Sequence, residues 1–162
     1  MVKNYYIIDT NIFIAANGKA DQLTDNDVNK CKLFVTSLFN DTIISLDIQG
    51  EIFNEYFTHM NWSGQPNIGD IFVKYLWDRQ YDKTVCEMVD IKKDKNGIYK
   101  QLRNKDDLFE FDPNDLKFIA VYFGSKNNVI ICNACDSDWA EHKILLKKHD
   151  INVFEILQDE FP

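Results

Sequence analysis

The chain has 162 residues, of which 45% are hydrophobic and 14% aromatic, so it carries enough apolar material for one folded domain and does not resemble a disordered chain. Its formal net charge of −8 argues against binding nucleic acid by a uniformly basic surface, but not against an enzyme whose clustered carboxylates hold metal ions. No basic-plus-apolar signal segment opens the printed sequence and no apolar run approaches roughly 18 residues, so we expect neither a signal peptide nor a membrane span. We therefore expect one soluble cytoplasmic domain, residues 1–162, with reduced cysteines.

Hydrophobic periodicity predicts strands that alternate with helices in the first part of the chain. Residues 5–8 and 42–46 are short runs of aromatic and β-branched residues, which is typical of buried strands. Residues 24–39 and 47–57 carry apolar residues at helical spacing, and Thr24 or Asp25 is available to cap the first of these helices. This alternation favours parallel strands joined by helices.

The middle of the chain contains its clearest shift in composition. Residues 62–69 are rich in Gly, Pro, Ser and Asn and predict a loop, whereas residues 71–89 predict mainly helix, with a strand inside residues 81–91 left open. Residues 92–105 hold six basic residues and one acid. This basic segment is either a solvated loop or an arm that contacts phosphates, with its aromatic residue stacking on a base. The arm would use Lys92, Lys93, Lys95, Tyr99, Lys100 and Arg103.

The last third returns to alternating elements. Residues 112–114 (Asp-Pro-Asn) predict the start of a helix that ends near Gly124. Residues 128–132 predict a buried strand, residues 137–149 a helix, and residues 151–156 a final strand. The whole pattern predicts an α/β fold, a three-layer α/β/α sandwich around a central, mainly parallel sheet.

Acidic residues follow the predicted strands. Asp9 comes directly after the first strand, Glu51 lies early in the helix after the second, and Asp115 lies at a helix start. Asp136 and Asp138 follow the strand at residues 128–132. Ligands of open parallel sheets gather at the carboxyl ends of the strands, and crowded carboxylates are stabilised by a divalent cation. We therefore predict a Mg²⁺ or Mn²⁺ site suited to hydrolysis of phosphate esters.

Structural roles remain open for several of these acids. Asp115 in the first turn of a helix also stabilises the helix dipole, and Asp138 could be only a helix cap. Glu55 lies one turn after Glu51 on the same helical face and is its rival. Asp47 and Asp112 are predicted caps.

Four stretches carry a family resemblance: YIIDTNIFI, ISLDIQGEIF, DPNDLKFIAVYF and VIICNACDSDW. In order and spacing they resemble the four acidic motifs of PIN-domain nucleases, including VapC-like toxin ribonucleases. The resemblance implies catalytic roles for Asp9, Glu51, Asp115 and Asp136. It implies metal ligation by Asp9, Asp115, Asp136 and Asp138, and secondary roles for Asn11, Ser45, Glu55 and Asn133. Ala134 stands where the family commonly has Thr or Ser.

The resemblance also implies an activity. PIN-domain nucleases cleave RNA, generally single-stranded, in a metal-dependent reaction, so we expect a Mg²⁺- or Mn²⁺-dependent endoribonuclease. Residues 62–111 would be an inserted or extended segment of the PIN-like domain. A toxin or defence role, an antitoxin partner and a homodimer are left open.

Two other functions compete with this one. A phosphatase with a nucleophilic Asp after the first strand usually has a second Asp two residues later, where this chain has Asn11. A catalytically silent PIN-like module that binds RNA or protein is the second alternative. The filled acidic positions argue against it.

Overall fold

The computed structural model describes residues 3–159, and within them five strands form one sheet. The strands are β1 (Asn4–Ile8), β2 (Thr42–Asp47), β3 (Cys86–Val89), β4 (Val129–Asn133) and β5 (Val153–Glu155). Their order is β3-β2-β1-β4-β5, and every neighbouring pair is parallel. The predicted parallel sheet is confirmed.

Helices cover both faces of the sheet. They are α1 (Thr10–Ala16), α2 (Asp25–Ser37), α3 (Glu51–His59), α4 (Ile68–Asp78), α5 (Leu116–Gly124), α6 (Ser137–Glu141) and α7 (Lys143–Lys148), with 3₁₀ turns at Lys100–Leu102 and Asp106–Glu110. Helices α1, α2 and α4 contact one another, whereas α5 packs on β1, β2 and β4. The three-layer α/β/α sandwich is therefore confirmed. No helix in the described range is both long and apolar enough to cross a bilayer.

Local sequence explains where two of the helices begin. Thr24 caps α2 as predicted, since its hydroxyl accepts from the Asp27 amide at 3.2 Å and Asp27 accepts in return from the Thr24 amide at 3.1 Å. Helix α3 begins at Glu51, later than predicted. Asp47 is the last residue of β2, and Gly50 turns the chain with a φ of +79°.

Two predicted helices differ from the structure. The helix predicted at residues 71–89 ends with α4 at Asp78, and the strand left open there is β3. The helix predicted at residues 137–149 is divided into α6 and α7, which meet at His142. Apolar spacing alone does not reveal either break, because both halves of each segment keep an apolar side against the core.

The sheet topology defines one special position. From β1 the chain adds β2 and β3 on one side, and later adds β4 and β5 on the other. The boundary between β1 and β4 is therefore a switch point, where the connections leave the sheet in opposite directions and open a crevice. Asp9 and the loop after β4 lie at its carboxyl end.

Candidate metal centre

Three of the predicted acids meet at this switch point. Asp9 directly follows β1, Asp136 follows β4 after a short loop, and Asp115 immediately precedes α5. One carboxylate oxygen from each lies within 4.8 Å of the others. Residues more than 100 positions apart in the chain are thus brought to one point, which we call the acid centre.

Asp9 is held in a defined orientation. The residue is 3% exposed, and its carboxylate accepts hydrogen bonds from the Asn11 amide at 3.0 Å and from Trp139 Nε1 at 2.7 Å. The pKa of Asp9 is raised to about 6, since burial raises it most, the two hydrogen bonds lower it, and the Asp136 and Glu55 carboxylates raise it. The side chain is positioned, but its charge is poorly compensated.

The negative charge of Asp115 is compensated even less than that of Asp9. This residue is 8% exposed and occupies the cap position of α5, yet its side chain makes no capping hydrogen bond. Its pKa is raised to about 8, mainly by burial and then by the neighbouring Asp9 and Asp136 charges, while Lys117 lowers it. Asp115 therefore does not cap α5 through its side chain, and its interaction with the helix dipole stays a prediction.

Asp136 combines two roles. It caps α6, because Oδ1 accepts from the Asp138 amide at 3.0 Å, and it also faces the acid centre. Burial raises its pKa, with repulsion from Asp138, Asp112 and Glu55 adding to the effect.

A second acidic group shares Asp115. Asp112, Asp115 and Asp138 also place one oxygen each within 4.8 Å of one another. Asp112 caps a turn as predicted, accepting from the Asn114 amide at 2.8 Å, but it also belongs to this second group. Its proximity to Asp115 was not predicted.

The two glutamates of α3 have different surroundings. Glu51 accepts from the Tyr99 hydroxyl at 2.6 Å and pairs with Lys93 Nζ at 3.0 Å, and it does not belong to either acidic group. Glu55 accepts from the Thr10 hydroxyl, next to Asp9 in the chain. The glutamate ranked second from the sequence is therefore the one that contacts the residue next to Asp9.

Glu55 is also paired with a buried lysine. Lys117 on α5 is 6% exposed and forms an ion pair with Glu55. Its Nζ also donates to the Asn114 carbonyl and lies 4.7 Å from the centre of the Phe118 ring. Glu55 and Lys117, together with Glu51 and Lys93, line an open cleft of about 340 Å³ beside the acid centre.

Asn11 and Asn133 hold the loop that carries Asp136. Asn11 Nδ2 donates to Asn133 Oδ1 at 2.8 Å, and Asn11 Oδ1 accepts from the amides of Ala134 and Cys135 at 2.9 and 3.1 Å. Asn133 Nδ2 donates to the Asp136 carbonyl at 2.9 Å. The position occupied by Ala134 thus contributes its backbone amide, and the polar side chains are those of the two asparagines.

Ser45 lies apart from the acid centre. It is fully buried in β2 and donates to Glu87 on β3 at 2.6 Å. Glu87 also accepts from Ser125 and Asn127. The contacts of Ser45 therefore connect two strands and the segment after α5.

The basic segment is folded back on the protein. Tyr99 is 6% exposed, its hydroxyl binds Glu51, and Lys93 Nζ lies 4.6 Å from the centre of its ring. In this arrangement the ring has no free face on which a base could stack, so that part of the predicted arm is corrected. Of the predicted arm cations, Lys92 pairs with Asp90, Arg103 pairs with Asp94, and Lys95 and Lys100 are exposed.

Lys117 and Thr10 are not among the site residues predicted from the sequence. The lysine stands inside the apolar run LKFIAVYF of α5, where a charged residue must find a buried partner. That interruption was the available signal for Lys117. Thr10 offered none, because a Thr at a helix start is ordinary.

No protein-family profile, curated protein or solved structure matches this chain. The resemblance to PIN-domain nucleases therefore stays a prediction that rests on the four motifs.

Proposed function

We propose that this protein is a Mg²⁺- or Mn²⁺-dependent endoribonuclease that hydrolyses phosphodiester bonds of single-stranded RNA. The observation that carries the proposal is the acid centre, where Asp9, Asp115 and Asp136 converge at the switch point of a parallel sheet. Carboxyl groups whose pKa values are raised by burial and by neighbouring charges are found more often at functional sites than elsewhere.

The donor set fits a hard divalent cation. Three crowded carboxylates, two of them buried, repel one another, and a cation that prefers oxygen ligands removes this repulsion. Asp9, Asp115 and Asp136 would hold the ion, and the group that adds Asp112 and Asp138 offers ligands for a second. A bound cation of this kind supplies an activated water and stabilises charge on a phosphodiester.

The surroundings favour a polyanionic substrate. The cleft beside the acid centre is lined by Lys93, Lys117 and Asn114, whose nitrogen donors suit phosphate oxygens, as well as by the two glutamates of α3. The exposed Lys95 and Lys100 of the basic segment extend positive charge on the protein surface. The PIN resemblance supports RNA as the substrate and, beyond that, a toxin or defence role with an antitoxin or a second copy as partner.

The test is cleavage of a labelled single-stranded RNA at increasing Mn²⁺ or Mg²⁺ concentrations. We expect cleavage that requires the cation and is lost in Asp9→Asn. The matched control is Asp78→Asn, which changes an exposed acid paired with Lys74 on α4 and should cleave like the wild type.

Two results would contradict the proposal. Cleavage that survives in Asp9→Asn would place the reaction elsewhere. Cation binding without cleavage of single-stranded RNA would favour the catalytically silent binding module.

A further inference from the structure

A buried lysine beside a group of carboxylates is unexpected in a site for a metal cation. Lys117 lies on α5, whose residues from Leu116 to Val121 are all buried, and its side chain is 8% exposed. Lysine is almost never this buried unless it is paired. Its charge therefore has a stabilising partner in the folded protein, and that partner is an acid next to the acid centre.

The contacts of Lys117 lead to the acid centre in two steps. Its Nζ pairs with one carboxylate oxygen of Glu55, and the other oxygen accepts from the Thr10 hydroxyl. Thr10 directly follows Asp9, and Lys117 lies two residues after Asp115. Lys117, Glu55 and Thr10 thus join α5, α3 and α1 around the acid centre.

The charge of Lys117 also acts on the acid centre. It is the cation that opposes the rise in the pKa of Asp115, and its partner Glu55 contributes to the raised pKa of Asp9 and Asp136. Charges in a partly buried site interact more strongly than charges in water, because the effective dielectric constant is lower there.

We propose that Lys117 is a resident counter-ion that competes with the divalent cation and sets the cation concentration at which the acid centre fills. This inference rests on the proposed function and adds a regulatory property to the same site. The lysine stabilises the acids in the metal-free protein and keeps Glu55 engaged. A divalent cation must bind against this positive charge.

A competing charge and a purely structural role for Lys117 predict opposite changes in cation binding when the lysine is removed. If Lys117 only holds α3 and α5 together, then removing it loosens the site and weakens cation binding. If Lys117 is the competing charge, its removal takes away repulsion and frees Glu55. Both effects then strengthen cation binding.

The experiment is calorimetric titration of the full chain with Mn²⁺ alone, with folding of each variant checked by circular dichroism. Lys117→Gln keeps a hydrogen-bond donor without the charge, and we expect it to bind Mn²⁺ at least about threefold more tightly than the wild type. Lys117→Arg keeps the charge and should bind like the wild type. Lys74→Gln, which breaks an exposed lysine pair on α4, is the matched control and should change nothing.

Glu55→Gln removes the negative charge of the pair instead of the positive one, and it is an independent test of the inference. It removes the partner and leaves the buried lysine charge uncompensated, so we expect weaker Mn²⁺ binding. Unchanged or weaker binding in folded Lys117→Gln overturns the inference. If that variant does not fold, unchanged or tighter binding in Glu55→Gln overturns it.

Failure of the proposed function has a different signature. If neither the wild type nor Lys117→Gln binds Mn²⁺, both the metal centre and its counter-ion are overturned. Binding by Lys117→Gln alone supports the counter-ion. Wild-type binding with no gain on removing the charge overturns only the role of Lys117.

Discussion

Two regions of this protein bury aspartates in different ways. Asp47, at the end of β2, and Asp70, in the first turn of α4, are here called the capping acids. Each of their carboxylates accepts hydrogen bonds from backbone amides. Asp47 is fully buried and accepts from two amides of the first turn of α3, at 2.8 and 2.9 Å. Asp70 is 2% exposed and accepts from the amides of Asn61 and Asn67 at 2.9 and 2.8 Å.

At the acid centre such donors are fewer, since Asp9 and Asp136 each accept from one backbone amide. Asp115 makes no capping hydrogen bond, and its closest charged neighbours include the like charges of Asp9 and Asp136. Hydrogen-bond donors compensate a buried carboxylate, whereas like charges penalise it. Burial alone therefore does not distinguish a functional acid from a structural one. The identity of its partners does.

The largest expected contrast is in activity. Asp115→Asn should lower cleavage by about a thousandfold or more, equivalent to about 4 kcal/mol of lost transition-state stabilisation. Its metal-free melting temperature should stay the same or rise, because the substitution removes a repelled charge. Initial rates and thermal melting in EDTA measure the two effects. A variant that melts well below the wild type would place Asp115 with the capping acids.

Asp70→Ala should show the reverse pattern. Removing a buried acceptor leaves its donors unsatisfied, so we expect the free energy of unfolding to fall by about 2–4 kcal/mol. Urea unfolding measures this loss, and the folded fraction should keep its kcat. Loss of kcat without loss of stability would erase the distinction between the two regions.

Cation binding should stabilise only an intact acid centre. Mn²⁺ at about 100 times its dissociation constant should add about 2.7 kcal/mol to the free energy of unfolding of the wild type. Asp115→Asn should gain little, since a ligand is lost, whereas Asp70→Ala should gain as much as the wild type. Urea unfolding with and without Mn²⁺ measures the gain in free energy of unfolding for each protein. Equal gains in the wild type and Asp115→Asn would exclude the acid centre as the binding site.

The smallest effect is a dependence of metal-free stability on pH. The pKa of Asp9 is raised to about 6 and that of Asp115 to about 8, so between pH 4 and 8 the folded state binds more protons than the unfolded state. Stability from these groups is therefore present below pH 4 and is lost as pH rises through the folded pKa values.

The same pH series compares variant and wild type. Urea unfolding in EDTA from pH 5 to 8 should give a shallower decline for Asp115→Asn than for the wild type, because one of the raised groups is gone. Parallel slopes would mean that Asp115 does not titrate in this range.

The sequence predicted the sheet and much of the acid centre because both follow from local patterns. Residues 5–8 and 42–46 are β-branched runs that form β1 and β2, and Asp9 interrupts an apolar run at a strand end. The alternation of strands and helices brings such ends to one edge of a sheet. Three acids could therefore be placed together before any contact was known.

The other features of the site depend on tertiary contacts, which a sequence pattern does not reveal. Glu51 and Glu55 share a helical face, and only the tertiary neighbours Tyr99 and Thr10 separate their surroundings. The burial of Tyr99 follows from the way residues 93–99 fold back towards α3, which composition does not reveal. The role of Lys117 on α5 follows from its ion pair with Glu55 on α3, a contact between helices that the sequence does not reveal.

The most direct measurement is anomalous diffraction from crystals soaked in Mn²⁺. We expect an anomalous peak at the acid centre, with oxygens of Asp9, Asp115 and Asp136 at about 2.0–2.2 Å from the ion. A second peak near Asp112 and Asp138 is compatible with this account. Ordered crystals with no peak among Asp9, Asp115 and Asp136, or with Mn²⁺ bound only elsewhere, would contradict it.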